Sequence, residues 1–145
     1  MSATKRVINE LLVDVFNHIL SIEQETLKKR GIKLSMTEVH VLEAIANTQD
    51  ATMGNVAKRL RVTLGTLTTS VNVLVKKDYV FRYRDEEDRR KVYLRLSKQA
   101  LEVLKIHDEF HEDMIESLFD DIGLDKDETL VKSLENISEF FKKKY

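Results

Sequence analysis

The 145-residue chain contains no cysteine and no proline, and only four glycines. Without cysteine, disulfides, thiolate chemistry and sulfur-ligated metal centres are excluded. Without proline, and with so little glycine, the punctuation of a loop-rich or all-β fold is missing, which argues for helices. No apolar run approaches membrane-spanning length. The opening MSATKRVINE lacks the apolar segment and cleavage site of a secretion signal, so a cytoplasmic protein with no membrane partner is expected. No paired nucleophile and base, no phosphate-cradling glycine loop and no distinctive acid pair emerges, and the expectation is that the chain is not an enzyme.

What is present suits one cooperative core, and the length does not demand a second domain. Hydrophobic residues make up 42% and charged residues 34%, as in a helical protein with large solvated faces. The net charge is only −1, but it is unevenly spread: between Lys58 and Arg95 eleven Lys/Arg face five Asp/Glu, a net of +6 that leaves −7 elsewhere. A basic segment in an acidic molecule can act as a localised footprint for phosphate.

Helical spacing of Ile8, Leu11, Leu12, Val15, Ile19 and Ile22 predicts a helix over residues 4–30, closed by LKKR and Gly31. Ser35-Met36-Thr37-Glu38 has capping-box spacing ahead of a helix over about 36–47. Thr52 can cap a short helix carrying Val56, Ala57 and Leu60, and Arg61-Val62-Thr63 reads as a turn. The next helix, roughly 64–77, has Leu64, Leu67, Val71, Leu74 and Val75 as its buried face. Two strands are expected at 79–84 and 91–96, joined by Asp85–Arg90, the second alternating Val92, Leu94, Leu96 with Lys91, Tyr93, Arg95. Ser97 begins a long helix through about Phe119 with a stripe of Ala100, Leu101, Leu104, His111, Ile115 and Leu118. A last helix follows Asp125–Glu128 and bears Leu130, Leu134, Ile137 and Phe141.

This layout is mainly α: a winged helix-turn-helix with a small β-wing, flanked by N- and C-terminal dimerisation helices. Two helices joined by a tight turn, the second with a small polar outer face, point to double-stranded DNA. Thr66, Thr68 and Thr69 are the candidate base readers, and Asn72 and Lys76 the candidate phosphate contacts. In the wing, four acids adjoin three bases. A carboxylate near the tip can brace a guanidinium, so Asp88 is the expected brace and Arg90 the residue entering a narrow minor groove, with Arg89 or Lys91 on phosphate. The competing reading is a polar hairpin whose charges pair among themselves. The terminal apolar stripes are material for a two-fold interface, although they can also pack within one chain.

The succession TxxxVAKRLRVTLGTLTTSVNVLVKKDY, strand, DEEDRR, strand, LS, helix resembles the MarR family of winged-helix regulators over nearly the whole chain. Asp88-Arg89-Arg90 and Leu96-Ser97 meet the family's wing pattern, with Ser97 in place of the usual threonine and Ala100 where glycine is common. The resemblance implies one MarR-like domain over 1–145, with the winged-helix region at 35–97, dimerisation helices at 4–30 and 98–143, an obligate homodimer, and action as a repressor. Stretches 63–70 and 106–111 are most similar to a subgroup that represses fatty-acid biosynthesis genes. That similarity implies a long-chain acyl group on acyl carrier protein as corepressor, in a cavity where the dimerisation helices meet the winged domain. Candidate liners are Phe16, Ile19, Leu20, Ile22, Val39, Leu42, Leu104 and Phe110, and the basic Lys28, Lys29 and Arg30 are candidates for meeting the acidic carrier. The histidines offer a different effector. His107 and His111, four apart on a helix, could join His40 and a carboxylate such as Glu23 or Glu25 around zinc, as zinc-sensing members of the family do in a similar location. A winged-helix module that binds protein remains a further alternative.

Overall fold

A computed structural model describes all 145 residues, which form two compact units, Met1–His107 and Asp108–Tyr145. The first unit opens with α1 (Ala3–Glu10), a π-helical segment (Leu11–Val15) and α2 (Phe16–Lys29). Then come α3 (Met36–Ala46), α4 (Met53–Leu60), α5 (Leu64–Lys76), β1 (Val80–Arg84) and β2 (Val92–Leu96). The next helix, α6 (Lys98–Ile122), begins in this unit and ends in the second, which also holds a short 3-10 turn (Leu124–Lys126) and α7 (Glu128–Lys144).

Side-chain caps start the helices where the sequence places them. Ser35 and Glu38 close a reciprocal capping box on α3, with Glu38 N–H donating to Ser35 Oγ at 3.2 Å and Ser35 N–H to Glu38 Oε2 at 3.3 Å. Thr52 Oγ1 accepts from Asn55 N–H at 3.1 Å, and Thr63 Oγ1 from Thr66 N–H at 3.1 Å. Ser97 Oγ likewise accepts from Ala100 N–H at 3.2 Å, so serine serves where threonine is usual, and the fully buried Ala100 fits the first turn of α6. The turn between α4 and α5 is made by Arg61 in the left-handed region, φ 56°.

The core of the first unit joins Leu27, Leu34, Val39, Leu42, Ile45, Val56, Leu67, Val71, Leu74, Val80, Leu94, Ala100, Val103 and Leu104. Each large side chain buried there contributes roughly 1.5–3 kcal/mol. The two strands pair antiparallel, Val80 opposite Leu96 and Arg84 opposite Val92. This hairpin leans on the helices through Leu94 N–H to Ala51 C=O at 2.9 Å and a single bridge from Tyr93 to Thr52. Gln24 ties α2 to the start of α3, donating to Leu34 C=O and accepting from Met36 N–H, both at 3.0 Å.

Three sequence expectations need correction. Leu64 is not on the buried face of α5: it is 55% exposed, because the core contact of this helix begins one turn later at Leu67. Leu101 is exposed while Val103 is buried, since the buried face of α6 in this unit runs Ala100, Val103, Leu104, His107. The predicted continuous helix over 4–30 is interrupted by the π-helical turn at Leu11–Val15, where the hydrogen-bond register widens by one residue.

Both units leave apolar side chains in solvent. Around the π turn these include Val7, Leu11, Leu12 and Phe16, and α1 buries no residue at all. In the second unit Ile115, Leu118, Phe119, Leu134 and Phe141 are exposed, and α7 buries none. Exposed apolar side chains in such number on each unit are material for an interaction face.

Candidate nucleic-acid interface

An open groove of about 830 Å³ runs between the N-terminal half of α5, the start of α4 and the inner face of the wing. Its lining includes Gly54 and Asn55 of α4, Leu64 and Thr68 of α5, and Arg82, Arg84, Arg90, Lys91 and Val92 of the wing. Four cations against the single carboxylate of Asp50 make the groove electropositive.

Thr66, Thr69, Asn72 and Lys76 are all exposed on the outer side of α5, and Thr68 is half-buried. Their hydroxyls have local partners. Thr66 Oγ1 accepts from Thr63 Oγ1 at 2.9 Å, while Thr68 and Thr69 donate to the carbonyls of Leu64 and Gly65 at 2.8 and 3.1 Å. Each hydroxyl still offers capacity to an incoming group, because it both donates and accepts. Asn72 is already engaged: its Oδ1 accepts from Arg82 Nη1 at 2.6 Å.

The wing tip has the braced form. Asp88 Oδ1 accepts from the Arg90 backbone N–H and from Arg90 Nε, both at 3.1 Å, and Asp88 Oδ2 accepts from Nη2 at 3.4 Å. The Arg90 side chain is 92% exposed, so the carboxylate fixes its base while the guanidinium faces solvent. The side-chain hydrogen bond from Arg90, then that from its backbone, holds the Asp88 carboxyl below its ordinary range. Arg84 Nη1 donates to Arg89 C=O at 3.1 Å, closing the turn from the strand side, while Arg89 and Lys91 stay exposed. On the outer face, Tyr83 and Tyr93 stack at 5.5 Å across the strand pair, with the Arg95 guanidinium 5.4 Å from the Tyr83 ring centre. Burial first, then the charge of Asp50, push the Tyr93 phenol up from its ordinary value.

Sequence reasoning missed Arg82 and Arg84, although period-two counting along β1 puts both on the face that carries Val80. It also missed Glu43. His40 and Glu43, three apart on α3, meet His107 of α6, and one ligand atom from each falls within 4.8 Å of the others. His107 and Glu23 are each 3% exposed, with Nδ1 3.7 Å from Glu23 Oε1, and His107 Nε2 lies 3.8 Å from Glu43 Oε2. Of the two carboxylates named from sequence, Glu23 is the one beside His107; Glu25 is exposed. His111 lies in the second unit, where its ring meets Phe110 edge-on at 5.7 Å. Among the candidate effector-pocket residues, Val39, Leu42 and Leu104 belong to the buried core. Phe16 and Ile22 are exposed, and Ile19, Leu20 and Phe110 are half-buried.

A helix-turn-helix followed by a basic, carboxylate-braced hairpin defines a winged-helix protein. The chain belongs to the MarR family, whose model matches residues 34–92. The transcriptional regulator SarZ of Staphylococcus haemolyticus is 33% identical over 115 residues, 77% of this chain and 73% of that protein. Among solved structures, FabT of Streptococcus pneumoniae in complex with DNA is 37% identical with a TM-score of 0.87, covering 96% of this chain and 98% of that one. Staphylococcus aureus MarR in complex with salicylate and kanamycin shares the fold, with a TM-score of 0.77 at 16% identity.

Proposed function

We propose that two copies of this chain form a DNA-binding transcriptional repressor of fatty-acid biosynthesis genes. The observation that carries the reading is the likeness over nearly the whole chain to FabT, a protein solved on DNA. In this reading α5 enters the major groove with Thr66, Thr68 and Thr69 toward base edges. Asn72 and Lys76 meet phosphate, as do Arg89 and Lys91 beside the wing tip. Arg90, steadied by Asp88, enters the adjacent minor groove. The exposed apolar faces of the terminal helices pair two protomers, so that two recognition helices meet half-sites one helical turn apart.

The corepressor in this reading is a long-chain acyl group carried on acyl carrier protein. Its chain is received among Phe16, Ile19, Leu20, Ile22, Val39, Leu42 and Leu104. Because several of these are packed in the core, acyl entry requires side chains to move. The exposed Lys28, Lys29 and Arg30 at the end of α2 supply charge complementary to an acidic carrier.

The grouping of His40, Glu43 and His107 favours a second reading, a zinc-responsive regulator. Two imidazoles and a carboxylate fit the nitrogen–oxygen ligand set of zinc, with Glu23 suited to orient His107 from behind. Bound there, zinc would supply a crosslink between α3 and α6.

A titration of purified protein on operator DNA, alone, with long-chain acyl carrier protein, with the unacylated carrier and with zinc, separates these readings. Tighter binding with the acylated carrier only is expected. Tighter binding with zinc only, abolished by His40→Ala, would replace the acyl reading with the metal one. Absence of duplex binding in every arm would remove both.

A further inference from the structure

The Arg82–Asn72 pair joins the wing to the recognition helix, and no role assigned so far uses it. Arg82 lies in β1 between Val80 and Arg84 on the hairpin's inner face, opposite the buried Leu94. From this exposed position the guanidinium reaches across to α5. There Nη1 donates to Asn72 Oδ1 at 2.6 Å, while no carboxylate pairs with Arg82. Arg90, by contrast, is braced by Asp88. Arg82 also lines the electropositive groove, together with Arg84, Arg90 and Lys91.

A guanidinium has only donors, so the atom of Asn72 facing it must be the oxygen, and the amide NH2 is turned away from Arg82. Helix and wing therefore present one donor array built from Asn72 Nδ2 and the free N–H groups of Arg82. Planar, forked donors of this kind match phosphate oxygens. Resting on the DNA-binding reading, we propose that Arg82 is a further DNA-contact residue, bound to backbone phosphate and held in place by Asn72. The pair sets the spacing between the major-groove helix and the minor-groove wing. It carries no base information, because phosphate is the same at every step.

The test measures affinity by fluorescence anisotropy across a salt series, on a selected duplex and on a scrambled one, for wild type, Arg82→Ala, Arg82→Lys, Asn72→Ala and the double alanine variant. Arg82→Ala is expected to weaken binding on both duplexes equally, on the order of tenfold, and to lower the salt slope by about one, the loss of a single phosphate contact. Arg82→Lys should restore the slope but only part of the affinity. Asn72→Ala should add little once Arg82 is gone, since the two act as a unit. A shift in thermal unfolding with an unmoved salt slope would mark a purely structural tie and overturn the proposal. An unchanged slope and affinity in Arg82→Ala, with wild type binding normally, overturns the proposal, as does a loss confined to the selected duplex. Failure of the wild type itself to show salt-dependent binding refutes the DNA reading on which it rests.

Discussion

Removing the cap of the recognition helix separates its folding from its contacts. Thr63 stands at the N-cap of α5 in extended conformation, φ −69° and ψ 156°. Its Oγ1 accepts from Thr66 N–H at 3.1 Å and donates to Thr66 Oγ1 at 2.9 Å. Thr63→Ala strands the Thr66 amide and should cost about 1 kcal/mol of unfolding free energy. Thr63→Ser, which keeps the acceptor, should recover most of it. The hydroxyl-to-hydroxyl bond lies in solvent and adds little, because water replaces it. If DNA requires the first turn of α5 to be formed, the loss of affinity is bounded by the same free energy, roughly fivefold. Thr66→Ala should behave oppositely: its side chain is exposed, so stability should stay nearly constant while the DNA contact proposed for it is lost. Urea unfolding and anisotropy titration on one set of proteins read both quantities. Two results would refute the reasoning. One is an affinity loss of roughly a hundredfold, about 2.7 kcal/mol, in Thr63→Ala with unchanged stability. The other is undiminished affinity in Thr66→Ala.

Four further outcomes are expected. Asp88→Asn should loosen the Arg90 guanidinium and weaken DNA binding several-fold with no shift in the urea midpoint. Because the Asp88 carboxyl titrates below its ordinary value of 3.8, its pairing is complete above that pH and fades only as pH falls through the lowered value. The brace therefore contributes no pH dependence of binding between pH 5 and 8, which titrations across that range check. Leu67→Ala, at a side chain 1% exposed, should cost about 3–5 kcal/mol in urea unfolding, and Leu67→Met under about 1.5. Arg61→Gly, at φ 56°, should relieve left-handed strain and raise stability by up to about 1 kcal/mol, read from the same unfolding curves.

Local chemistry was legible in the sequence, and long-range geometry was less so. Ser35 with Glu38, Thr52, Thr63 and Ser97 announced their helices because a cap needs only residues two or three positions away. The Asp88–Arg90 brace was legible for the same reason, spanning two residues. Leu64 misled because periodicity names a face but cannot tell where a neighbouring element stops covering it. The π turn at Leu11–Val15 left no signal, since a one-residue widening barely disturbs the apolar stripe. Arg82 was hidden because its partner Asn72 sits ten positions away on another element. Glu23 and Glu25 were both open as carboxylate partners of His107, and only the fold, which brings positions 84 apart together, selects Glu23.

The central claim is that α5 and the braced wing together read duplex DNA. Its most direct test is the affinity of wild type and the Thr66→Ala, Arg90→Ala double variant for a duplex selected from a random pool, each followed across a salt series. Wild type should prefer the selected duplex over a scrambled one, with affinity falling steeply as salt rises. The double variant should lose that preference while keeping its urea midpoint. Retention of full affinity and preference by the double variant would contradict the account.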